Sequence, residues 1–94
     1  MDIMLEAYHL GVKERTARMW RDEPQKRPPY YDAALCAIRA DLQAASPVLT
    51  AAMHKSLGVS RQLAYYWTKA GQVPRAARMA ASWLNYCRAR EISA

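Results

Sequence analysis

The chain contains one stretch written twice. Leu10-Gly11-Val12-Lys13-Glu14-Arg15-Thr16-Ala17-Arg18-Met19-Trp20 returns as Leu57-Gly58-Val59-Ser60-Arg61-Gln62-Leu63-Ala64-Tyr65-Tyr66-Trp67. Without a gap the copies share Leu, Gly, Val, Ala and Trp at matching places, and their spacing of forty-seven is half of the 94 residues. A chain built this way is constrained to be a tandem repeat of one small unit. Leu-Gly-Val between two helical patterns predicts a stop and a restart. Glycine takes the positive φ that ends one helix, and the following valine packs under the corner. The second helix of each copy then starts at Lys13 or at Ser60, whose hydroxyl can cap the first turn. Spacing from Val12 to Ala17 and Trp20, and from Val59 to Leu63, Ala64 and Trp67, marks the buried side.

These residues resemble the helix-turn-helix of the Cro and lambda-repressor class, in particular the small Cro-like and antitoxin-like regulators of phages. With Gly11 and Gly58 as the turn glycine, the motif's small position falls on Ala7 and His54. Its apolar positions fall on Leu10, Val12, Ala17 and Trp20, and on Leu57, Val59, Ala64 and Trp67. Glu6 stands where an apolar residue is usual, and His54 is large for its place. The run Leu57, Val59-Ser60-Arg61-Gln62, Trp67, Val73-Pro74 carries the likeness furthest.

The expected architecture is all-α: two tandem helix-turn-helix units, about six helices, packed as one compact pseudo-symmetric domain. Unit one covers residues 1–47 and unit two residues 48–94. Neither half buries much surface alone, so the units are expected to share a core. Helices are read from Met1 to Leu10, with Ile3, Met4, Ala7 and Leu10 on one face; from Lys13 to Asp22; and from Tyr31 to Ala45. Further helices are read from Val48 to Leu57 after the Ser46-Pro47 junction, from Ser60 to Ala70, and from Arg75 to about Arg90. The proline-rich run Glu23 to Pro29 and the turn Gly71 to Pro74 separate the last two helices of each unit. The last helix either folds back to close unit one or presents Trp83, Leu84, Tyr86 and Cys87 to another chain as a homodimer contact; the compact arrangement is preferred.

Charge is divided unevenly. Before Pro47 there are seven Lys and Arg against seven Asp and Glu; after it there are seven against Glu91 alone, so the net +6 belongs to unit two. Such a surface attracts phosphate backbones. The resemblance implies double-stranded DNA as the partner, with each second helix in a major groove. Base-reading candidates are Ser60, Arg61, Gln62, Tyr65 and Tyr66 in unit two, with Lys13, Arg15, Thr16 and Arg18 in unit one. Arginine can grip guanine and glutamine can pair with adenine, which singles out Arg61 and Gln62. For Tyr65 and Tyr66 a packed aromatic is an even alternative. Lys55, Lys69, Arg75 and Arg78 are candidates for phosphate contact. Mixed charge in unit one also suits a protein partner.

Nothing points to an enzyme, a cofactor or a metal. His9 and His54 are isolated, and Cys36 and Cys87 lie too far apart for a disulfide framework and read as buried structural thiols. No membrane span or secretion signal is read, and the cytoplasm is the expected compartment. The functional expectation is a sequence-specific transcriptional regulator, a repressor or activator of phage or mobile-element type. Its rivals are an excisionase-like architectural recombination directionality factor and a helix-turn-helix adaptor that binds another protein.

Overall fold

The computed structural model describes residues 2–44 and 54–93, whose regular elements are all helices, with no strand among them. Unit one holds α1 (Ile3–Leu10), α2 (Glu14–Asp22) and α3 (Tyr31–Arg39), with a single 3₁₀ turn at Pro24–Lys26. Unit two holds α4 (His54–Leu57), α5 (Arg61–Ala70) and α6 (Arg75–Ser93). The expected Ser46-Pro47 junction and the beginning of the Val48–Leu57 helix lie outside the described residues.

Four of the five repeated residues, Leu, Gly, Val and Ala, perform matching tasks. Gly11 and Gly58 take φ of +68° and +74°. In each corner the glycine N–H donates to the carbonyl three residues back (Tyr8, Lys55), and the following valine N–H donates to the carbonyl five back (Ala7, His54), all within 3.0–3.2 Å. That pair of bonds closes both helices with the same left-handed cap. Leu10, Leu57, Ala17 and Ala64 are buried, while Val12 and Val59 pack against the core from its edge. Unit two also has its predicted helix cap: Leu63 N donates to Ser60 Oγ at 3.1 Å.

Helices α3 and α6 form the central contact. Alanines dominate it: Ala34 and Ala37 from α3, and Ala76, Ala77, Ala80 and Ala81 from α6, are all buried. Small side chains let the two helices approach closely. Leu10, Leu57, Tyr31, Trp67 and Met79 complete the core around this seam. Because α6 packs on α1, α3 and α4, it joins the two units, and Trp83 and Leu84 are already engaged with the core. The compact arrangement is the one observed.

Several local expectations are corrected. The third helix stops at Arg39 rather than Ala45. Asp41 takes φ +58°, and Leu42 N turns back to Ala37 O at 3.0 Å, so Leu42 reaches the core from a helix cap instead of from within the helix. On α1 the buried face is Glu6, Ala7 and Leu10, and Met4 points outward. The cause is an ion pair: Glu6, only 4% exposed, holds Arg21 of α2 at 2.8 Å. Charge thus replaces the usual apolar contact between the two helices. His54 fits its corner because its Nδ1 lies 3.2 Å from Val59 O. Cys36 and Cys87 are free and half-buried.

This ion pair leads to a stability prediction. Arg21→Ala leaves a carboxylate buried without that partner and is expected to cost about 1–2 kcal/mol, reduced because Arg21 itself is partly exposed. At the matching places of the repeat unit two carries Met53 and Thr68. The graft Glu6→Met/Arg21→Thr is therefore expected to be neutral or stabilising in urea unfolding. A graft as damaging as Arg21→Ala would show that the pair itself contributes net stability.

Candidate nucleic-acid interface

Helix α5 touches the rest of the protein along a narrow line. Of its residues only Ala64 and Trp67 are buried, and Trp67 meets the Tyr30 ring edge-on at 6.1 Å between centroids. The remaining surface is open. Arg61, Gln62, Tyr65, Tyr66, Thr68 and Lys69 are all exposed, as is the capping Ser60. Tyr65 and Tyr66 are therefore surface residues, not core aromatics, and the Lys69 ammonium lies 5.9 Å from the Tyr65 ring centroid. Leu63, expected on the buried side, is 39% exposed. It stands one position round from the Ala64–Trp67 line, and unit one has Thr16 at the equivalent place.

The stretch that carries this surface contributes no acid to it. From Leu42 to Arg90 the chain contains no Asp or Glu. Lys55, exposed on α4, adds a cation beside the corner that introduces α5. The N-terminus of α5, capped by Ser60 through Leu63 N, adds the partial positive charge of the helix dipole there.

Unit one differs. Arg15 and Lys13 are exposed and Thr16 is half-buried, but Arg18 is paired with Glu14 at 2.8 Å and Arg21 with Glu6. Lys26 lies 3.4 Å from Glu23. Much of the positive charge around α2 is thus answered from within. Arg27 is spent on structure as well: its Nε donates to Trp20 O and its Nη2 to Arg21 O at 2.8 Å, capping the end of α2. The same guanidinium lies 4.9 Å over the Tyr31 ring, whose other face of contact is the edge of Trp20. Burial pushes the Tyr31 hydroxyl above its ordinary pKa, helped by Glu6 and opposed by Arg27 and Arg21. Burial raises Tyr30 likewise.

The four phosphate candidates divide between two places. Lys55 and Lys69 stay with α5. Arg75 sits at the corner of unit one: its Nε donates to His9 O at 3.1 Å, and its guanidinium covers the Tyr8 ring at 5.6 Å. Arg78 is half-buried in a cleft of about 500 Å³ with Tyr8, His9, Asp41 and Arg75. Sequence spacing could not show this, because the start of α6 follows α5 in the chain yet docks on α1.

A second cleft, of about 630 Å³, runs over Glu6, Arg21, Arg27, Tyr31 and Arg39. Among the described residues there is no cluster of His, Cys, Asp or Glu able to hold a metal, and no helix is long and apolar enough to cross a membrane. No family model, curated protein or solved structure matches the chain.

Proposed function

We propose that this protein is a sequence-specific DNA-binding transcriptional regulator that reads the major groove chiefly with α5. The observation that carries this reading is the open face of α5, with Arg61 and Gln62 in its first turn, inside a stretch of forty-nine residues (42–90) that contains no acid. Arg61 is assigned to guanine O6 and N7, and Gln62 to adenine N6 and N7. Tyr65 and Tyr66 lie on the same exposed helix and supply further base or sugar contacts. Lys55 and Lys69 neutralise phosphates and set the register.

Two features favour α5 over a pair of helices reading together. The cations of α2 are largely paired, and the Cα positions span 33 Å along each long axis. Recognition helices on one duplex face need about 34 Å between centres, slightly more than that span. Unit one then supports and positions unit two. Regulation by occupancy of a promoter site is what the resemblance to Cro-like regulators of phages and mobile elements suggests.

The test is selection of sites from random duplex DNA with the wild type and with Arg61→Ala/Gln62→Ala, at two salt concentrations. One motif is expected to be enriched by the wild type and lost by the double variant, with affinity falling at least about tenfold for each base contact removed. Lys69→Ala should instead weaken all sequences alike and lower the salt slope by about one. Weak binding that enriches no motif and vanishes in salt would overturn the proposal.

A further inference from the structure

Helix α1 has an apolar outer face that the fold leaves open. Met4 is 64% exposed, Leu5 55% and Tyr8 70%, while Glu6, Ala7 and Leu10 occupy the inner face. Three large apolar side chains at spacings of one and four form a continuous stripe on an eight-residue helix. At the matching places unit two has Ala51, Ala52 and Lys55. The stripe is therefore a property of unit one and not of the repeat.

We infer that this stripe is a self-docking face, on which α1 of one chain packs antiparallel against α1 of a second copy about a two-fold axis near Leu5. The charge pattern selects this occupant. Three residues before Leu5 stands Asp2, exposed and capping the helix through Met4 N at 3.3 Å. Three residues after it stands Tyr8, covered by the Arg75 guanidinium. One end of the stripe is thus acidic and the other cationic. Antiparallel pairing at Leu5 sets each Asp2 against the second copy's Tyr8 and Arg75, and the match occurs twice, as an isologous contact requires. A uniformly acidic or basic partner would leave one end opposed by like charge.

Long-range electrostatics allow the same approach. Each chain carries +6, but unit one is balanced at seven against seven, and the Arg75 that α6 brings over Tyr8 is answered by the second copy's Asp2. One short helix face buries less than the roughly 800 Å² per partner of a standard interface, which makes the free dimer weak, in the micromolar range. Self-association stands independently of DNA reading, which decides only its consequence: two α5 helices related by a two-fold axis, favouring a palindromic site with avidity of about 10²–10⁴.

The full chain is followed by sedimentation velocity over the micromolar range, without DNA. A concentration-dependent monomer–dimer shift is expected, and Leu5→Glu should weaken it more than tenfold while leaving the circular dichroism melt unchanged, because Leu5 is exposed. Tyr86→Glu on α6 should leave it intact. Leu5→Cys should yield a covalent dimer under oxidation, above the wild-type background from Cys36 and Cys87. Arg61→Ala/Gln62→Ala should dimerise normally, which separates this test from failure of DNA reading. A wild type that stays monomeric overturns the inference and leaves the stripe to another protein; a dimer indifferent to Leu5→Glu but lost in Tyr86→Glu overturns it in favour of α6.

Discussion

Gly58→Ala is expected to destabilise the protein by about 2–4 kcal/mol, whereas Gly71→Ala should cost only about 1 kcal/mol. All three glycines have φ between +68° and +74°, so each substitution carries the strain of a left-handed residue. What separates them is space. A Cβ on Gly58 would lie 2.7 Å from Cβ of Pro29, and one on Gly11 would lie 2.6 Å from Cβ of Arg75, but one on Gly71 meets nothing within 4 Å. Pro29 cannot turn aside because its ring is fixed to the backbone just ahead of α3. Arg75 is restrained too, since moving it loosens the bond from its Nε to His9 O. Each corner is thus pressed against the entrance to the other unit's third helix. Urea unfolding of the three alanine variants tests this: equal losses would mean that the corners do not bear on the opposite unit and that only backbone strain matters. The largest expected loss corresponds to a fall in melting temperature of well over 10 °C for a chain of this size.

The corners were legible in the sequence because their chemistry is local. Leu-Gly-Val specifies a cap through bonds that span at most five residues, and the repeat states it twice. The all-α class and the buried Leu10, Ala17, Leu57 and Ala64 follow from the same short-range pattern. Longer connections were less visible. Glu6 was conspicuous as a charge in an apolar place, but its partner Arg21 lies on the next helix, and only packing brings them together. The expected third helix ran to Ala45, although Asp41, just past its end at Arg39, adopts a conformation usually left to glycine or asparagine. Arg75 and Arg78 looked like neighbours of α5 because they follow it in sequence. The turn at Gly71–Pro74 instead sends them towards α1, and the candidate interface contracts to Lys55, Lys69 and the exposed residues of α5.

Trp67→Ala is expected to be more damaging still, at about 3–5 kcal/mol, and to remove DNA binding together with stability. Apart from Ala64, Trp67 is the only buried side chain described on α5. It crosses between units, with its ring against Tyr30 in the segment that leads into α3. Without it, α5 keeps its Ser60 cap and its contact with α4 but loses its anchor to the shared core. Trp20, the repeat equivalent, is half-buried and meets Tyr31 of its own unit at 5.9 Å, where Arg27 also covers the Tyr31 ring. Trp20→Ala should therefore cost less and leave α5 in place. Trp67→Phe preserves an aromatic edge against Tyr30 and should recover part of both stability and affinity. Denaturation and DNA binding measured on the same three variants tell packing from contact. If Trp67→Ala retained its full stability yet lost DNA binding, the indole would be a DNA ligand, and the core side of α5 would have to be redrawn.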